Sequence, residues 1–176
     1  MAHTLYDGTI VVLEGILRTL SHILSAAETQ RPNDPDSFLA ARLHDDMYPL
    51  ADQIRLATKF SALLAARLTA QPEPTAYDNN PTTLAEGQDR IAMVLKLLRE
   101  ADKAVVNAQG EESKPTPMGP GVTVEMSGAK YAHLVVLPNV YFHLTTAYGI
   151  LRKEGVPLGK RDYYEGFFPG MAGGNK

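Results

Sequence analysis

Cysteine and tryptophan are both missing from this chain of 176 residues. Without cysteine there is no disulfide framework, no thiolate nucleophile and no sulfur ligand for a metal. Basic charge is not in excess either. Seventeen Lys and Arg stand against twenty Asp and Glu, a net −3, so nothing resembles the basic stripe that follows a phosphate backbone, and no nucleic-acid partner is expected. No unbroken apolar run approaches the ~20 residues of a membrane span. The opening MAHTLYDG lacks the charged-then-apolar pattern of a secretory leader. No membrane partner and a cytoplasmic location are therefore expected. The five histidines include no HxxxH pair and no HExxH, and Gly155 and Gly159 are followed by no GK[ST], which removes the common zinc and phosphate-loop signatures.

What is present is a helical pattern. Val12, Ile16, Leu20, Ile23 and Ala27 recur at helical spacing over 5–28, with Leu13, Leu17 and Leu24 widening the stripe. QRPNDPDS breaks it, and a short helical piece, SFLAARL, is expected after Asp36. A second helix is expected over 44–68, with Pro49 in its first turn and Leu50, Ile54, Ala57, Ser61, Leu64 and Leu68 as its seam. QPEPTAYDNNP is loop. Thr83 and Glu86 have the spacing of a capping box and open a third helix through Leu98. The Gly- and Pro-rich stretch 102–128 reads as surface loop with a small hairpin around VTVEM. A fourth helix over 129–154 is apolar nearly all round, with a kink expected at Pro138 and a stop at Gly155. The expected fold is all-α, an antiparallel up-down four-helix bundle with a β-hairpin excursion between the third and fourth helices. Residues 1–165 form the domain, and 166–176 a Gly-rich tail.

The last helix carries the clearest chemical signal. Within VLPNVYFHLTTAYGIL, Asn139, His143 and Thr146 step by four and three and share one helical face. A buried imidazole needs hydrogen-bond partners. It is either a core histidine satisfied by its neighbours or a group facing a cavity. HDDMYP, 44–49, gathers two carboxylates, an imidazole and a phenol where the second helix begins. Asp46 could orient His143 and Tyr48 could donate to a substrate, or an aspartate here simply caps the helix. A metal, if bound, would draw on His44, Asp46 and His143, a set with no supporting spacing. Arg152, Lys153, Lys160 and Arg161 suit a helix C-terminus better than an anion site.

RLHDDMYPLADQIRLA and LPNVYFHLTTAYGILRKEGVPLGKRDYYEG resemble the two signature blocks of a domain-of-unknown-function family from bacteria and filamentous fungi. The likeness runs from about Leu5 to Glu165. That family resembles the DinB/YfiT-like superfamily of four-helix bundles, many of whose members hold a metal with three histidines, two of them in an HxxxH pair on the fourth helix. His143 matches the fourth-helix histidine, and Asp46, Met47, Pro49 and Gln53 match the second-helix block. Ala147 stands where the HxxxH pair would continue. Lys153 replaces a later histidine of the family, and Asp45 and Tyr48 replace its usual Pro and Phe.

Together these features lead to the expectation of a cofactor-free, metal-independent acid–base enzyme of the isomerase, cyclase or dehydratase type. It would act on a small apolar molecule between the second and fourth helices. His143, Asp46 and Tyr48 are its expected catalytic residues, and Asn139, Gln53, Thr146 and Tyr141 its substrate contacts. Analogy with fungal relatives suggests a natural-product pathway. A divergent metalloprotein and a non-catalytic binding protein remain as alternatives. The aromatic tail and the resemblance suggest a homodimer.

Overall fold

Thr4 starts the first helix of the computed structural model, which describes residues 2–170. Its hydroxyl accepts from the Asp7 N–H at 3.4 Å, and Asp7 Oδ2 accepts from the Thr4 N–H at 3.0 Å. This reciprocal pairing satisfies two N–H groups that a helix end leaves open. From there α1 (Leu5–Gln30) runs without a break, burying Ile10, Leu13, Ile16, Leu17, Leu20, Ile23, Leu24 and Ala27 completely. A 3-10 segment, Pro35–Ala40, leads to α2 (Leu50–Leu68). Then follow α3 (Leu84–Arg99), α4 (Lys103–Gln109) and the strands β1 (Ser113–Gly119) and β2 (Val122–Ser127). A continuous helical run follows. It comprises α5 (Gly128–Tyr131), a π-helical turn (Ala132–Val136) and α6 (Leu137–Lys153), with α7 (Lys160–Tyr164) beyond. The described residues are thus mostly helical, with one two-stranded antiparallel sheet among them.

The four long helices pack so that α1 and α2 each lie between α3 and α6. Their side-chain bonds give the directions. Gln88 near the start of α3 bonds Ser21 of α1, and Asn107 of α4, which follows the end of α3, bonds the N–H of Tyr6 at the start of α1, so α1 and α3 are antiparallel. Gln53 in the first turns of α2 meets His143 of α6, whereas Arg67 at the end of α2 covers Tyr131 before α6. These two helices are antiparallel as well. Ile54 lies against Gly87 near the start of α3, and Ala65 shares a cleft with Ala101 just past its end, so α2 and α3 run the same way. The strict up-down alternation expected from the sequence does not hold. Residues 69–83 must travel back along α2, and they do, tied to it by Lys59–Asp78 and Arg55–Asn80.

Local starts and stops also differ from the sequence pattern. HDDMY is turn, and α2 begins only at Leu50, with Pro49 as its non-helical N-cap residue. Pro49 offers no capping side chain, and the Leu50 N–H instead donates to the Ala41 carbonyl at 2.9 Å. Asp36 does not cap its own short segment. Its carboxylate accepts from the Leu84 N–H at 2.7 Å and so closes the start of α3. At that same end Thr83 accepts from Glu86 N–H, while the Glu86 carboxylate reaches Thr82 rather than Thr83. The 102–128 stretch holds α4 as well as the hairpin. The expected kink at Pro138 takes the form of the π turn just before it. Proline cannot donate, and its ring crowds the carbonyl one turn back. A widened turn relieves that crowding. Asn139 supplies a donor there, to the Val135 carbonyl at 3.0 Å.

Leu5–Gln30 and Gly128–Lys153 are long and apolar enough, by length and composition, to cross a membrane. Core helices meet the same criterion, and here the apolar stripes of both, including Val136, Val140, Leu144 and Ile150, face the common core.

The segment after Gly159 docks on α1. His22 Nε2 meets Asp162 Oδ1 at 3.0 Å, Thr19 donates to the Tyr163 carbonyl at 3.0 Å, and the Gly166 N–H donates back to Thr19 at 3.1 Å. Gly166 therefore belongs to this packing, and Phe167 lies against Gly15. Residues 171–176 of the expected tail fall outside the described residues. A side chain at 166 would meet the Gly15 carbonyl at 2.1 Å and the Thr19 N–H at 2.4 Å. Gly166→Ala is expected to undock the segment and cost about 1–3 kcal/mol. Chemical denaturation, together with hydrogen exchange over 163–168, checks this, and unchanged protection there would contradict it.

Candidate functional site

His143 sits on the face of α6 that meets the first turns of α2, and it is only 6% exposed. Its Nδ1 lies 2.8 Å from Gln53 Oε1. The Gln53 amide nitrogen donates to the Tyr48 carbonyl at 2.9 Å. Phe60, seven residues after Gln53 and so on the same face of α2, lies parallel to the imidazole with centroids 6.4 Å apart. Phe142 meets it edge-on at 5.4 Å. Burial among these groups pushes the His143 pKa down to about 4. The nearby Arg55 guanidinium lowers it further, and the Asp52 carboxylate opposes them. The imidazole is consequently neutral at physiological pH.

Beside this pair lies a closed polar ring. Arg55 donates to Asp52 Oδ1 at 2.7 Å and to Asn80 Oδ1 at 2.7 Å, and Asn80 donates to Asp52 Oδ2 at 3.0 Å. Asp52 and Arg55 are one helical step apart on α2, while Asn80 arrives from the returning strap. None of these three, nor Phe60, is among the site residues expected from the sequence. The three-residue spacing of Asp52 and Arg55 was a usable signal. Asn80, in a loop, carried none.

The other expected site residues scatter. Asp46 does not orient His143; it pairs with His44 Nδ1 at 2.8 Å, and the two side chains are 84% and 74% exposed. The turn that carries them ends before α2, so both face solvent while Gln53 takes the place by the imidazole. The Tyr48 side chain is 63% exposed, and its backbone carbonyl is what reaches the site, through Gln53. Asn139 donates to its own π turn. Thr146 is buried on the His143 face. Tyr141, two residues before His143, is turned about 200° away. It stacks on Phe167, and its phenol pKa is raised by burial and by Tyr163 and Tyr164. Arg152 and Lys153 hold backbone carbonyls, of Val156 and of Arg42 and Leu43. Arg152 thus ties down the turn after α6, and Lys153 joins the end of α6 to the segment before α2.

The three-histidine metal arrangement implied by the resemblance does not fit these side chains. His143 supplies one ligand, and the fully buried Ala147 supplies none at the next position. The candidate set His44, Asp46 and His143 is not brought together. Among the described residues no three His, Cys, Asp or Glu side chains stand close enough to share an ion. An open cleft of about 370 Å³ lies elsewhere, between Ala62, Ala65 and Ala66 of α2, Leu97 of α3 and Val105 of α4. It adjoins the last turns of α2, while Gln53 lies in the first.

Comparison with known proteins agrees with this frame. The family described as Domain of unknown function (DUF1993) matches residues 5–164. A crystal structure of a DinB family member protein from Shewanella denitrificans is similar to this chain, with a TM-score of 0.80 and 37% identity over 91% of both chains. No curated protein matches the sequence.

A histidine with a lowered pKa makes stability depend on pH. The unfolded chain, with an ordinary imidazole near 6.5, takes up a proton before the folded one does. Stability from this group is complete above about pH 6.5, falls as pH drops toward 4, and levels off below, a loss of about 3 kcal/mol in all. Asp7 and Glu86, both held near 2 by their hydrogen bonds, add their losses at lower pH. Denaturation of the wild type and His143→Asn at about pH 7 and pH 5 isolates the contribution of His143. The wild type is expected to lose about 2 kcal/mol over that interval, and the variant much less.

Proposed function

Because the chain belongs to the DUF1993 domain family, we propose that it is a DinB-type four-helix bundle acting on a small organic molecule through the neutral imidazole of His143. The observation that carries this reading is a buried histidine, uncharged at neutral pH and hydrogen-bonded across two helices, with the Phe60 ring parallel to it and the Phe142 ring edge-on. Such a group serves as a proton acceptor and not as a standing acid, since almost none of it carries the proton to give. The imidazolium formed on proton abstraction is disfavoured by burial and by Arg55. The proton is therefore returned quickly. Reactions that take a proton from one atom of the substrate and redeliver it nearby, such as isomerisation, cyclisation or dehydration, match that behaviour without needing a metal. The low basicity that limits proton abstraction also favours a second reading, a pocket that binds its ligand without turnover.

Two measurements separate these readings. Ligand-observed NMR with a panel of phenols and enolisable ketones is expected to find compounds that bind the wild type and bind His143→Asn at least roughly tenfold more weakly, the loss of a hydrogen bond to a buried group. For the enolisable ketones, deuterium uptake from solvent is expected with the wild type and not with His143→Asn. Binding with neither deuterium uptake nor any rearranged product identifies a non-catalytic site. Undiminished uptake by a folded His143→Asn would remove His143 from the chemistry.

A further inference from the structure

We infer that Gln53 is a positioning residue that locks His143 as the Nδ1–H tautomer, so that Nε2 is presented as a hydrogen-bond acceptor to a neutral hydrogen-donating ligand, an alcohol, phenol or enol. The inference rests on the reading of His143 as the functional group and follows from two contacts. The Tyr48 carbonyl can only accept, so the end of the Gln53 amide that lies 2.9 Å from it must be the NH2 group. The other end, 2.8 Å from His143 Nδ1, is then the amide oxygen. An oxygen acceptor needs a hydrogen from the imidazole, so Nδ1 carries the single proton of the neutral ring. Nε2 keeps its lone pair.

The lock differs from an Asp–His pairing in one respect. A carboxylate would also fix the tautomer, but it would stabilise the imidazolium and raise the basicity of the ring. A neutral amide fixes the tautomer alone. An anionic ligand gains nothing from a bare lone pair. The cation whose charge acts on the ring, Arg55, is already engaged by Asp52 and Asn80. The Phe60 and Phe142 rings beside the imidazole favour a flat, apolar ligand, which leaves a phenol-like or enol-like O–H as the matching group.

The test is imidazole nitrogen NMR on uniformly 15N-labelled protein at neutral pH, with p-cresol as the probe and benzoate as the control. Wild-type His143 is expected to show a protonated Nδ1 and a bare Nε2, in a ratio of roughly tenfold or more. Gln53→Met, which keeps the size and removes both hydrogen bonds, is expected to move the ring toward the Nε2–H form. Gln53→Glu is expected to restore Nδ1–H and to raise the His143 titration midpoint, two changes that a merely structural role would not produce. Added p-cresol is expected to shift the Nε2 resonance, and benzoate is not. A predominantly protonated Nε2 in the wild type, or an Nε2 signal indifferent to p-cresol, overturns the inference. If Nε2 is protonated and yet His143→Asn abolishes deuterium uptake, the lock fails while the functional reading stands. If Nε2 is bare and His143→Asn retains uptake, the lock stands while the functional reading fails.

Discussion

A polar side chain inside an apolar helix interface costs several kcal/mol unless its hydrogen bonds are met, and between α2 and α6 that requirement falls on Gln53 and His143. Gln53 is 2% exposed and His143 6%, so the groups they turn into the interface need protein partners. Gln53 Oε1 takes up His143 Nδ1, and the second arm of the Gln53 amide is taken up by the Tyr48 carbonyl at the entry to α2. Pro49 cannot cap that entry with a side chain. The start of α2, the crossing of α2 with α6 and the state of the imidazole are therefore held by one amide.

The direction of the helices completes the site. Because α2 and α3 run the same way, residues 69–83 must span the length of α2 before α3 can begin. Such a stretch reaches about 50 Å when extended, against about 30 Å for α2, so the return is not strained. On its way it delivers Asn80 to Asp52 and Arg55, closing a neutral ring next to His143. Without Asn80, Asp52 and Arg55 would each keep hydrogen-bonding capacity facing a buried histidine. The topology and the electrostatics of the site are thus linked through a loop that carries no helical signal of its own.

Much of this was legible from residue spacing. The seams of α1, α2, α3 and α6 follow helical periodicity, and Asn139, His143 and Thr146 do share a face of α6. Gln53 was singled out through the resemblance of the second-helix block, though as a substrate contact and not as the partner of His143. The misreadings have physical causes. HDDMYP looks like a reactive cluster, but a proline that ends a turn leaves Asp46 and His44 in solvent. Tyr141 lies among site residues in sequence and on the far side of the helix in space. The parallel run of α2 and α3 cannot be read from periodicity, since a helical stripe is the same in either direction. Gly166 looks like the start of a loose tail, yet the approach of its backbone to Thr19 is what docks the C-terminal segment. The family pattern marks the fourth-helix histidine, and Ala147 stands where the second ligand of an HxxxH pair would be.

The central claim is that His143 is a neutral imidazole fixed between two helices. The most direct measurement is a proton NMR titration of its ring, assigned by comparison with His143→Asn. The account predicts a midpoint near 4, with the resonance unchanged from about pH 8 down to about pH 5.5. A midpoint at the ordinary 6.5 or above would mean that the ring is solvated or paired with a carboxylate, and the neutral-base account of this site would then be wrong.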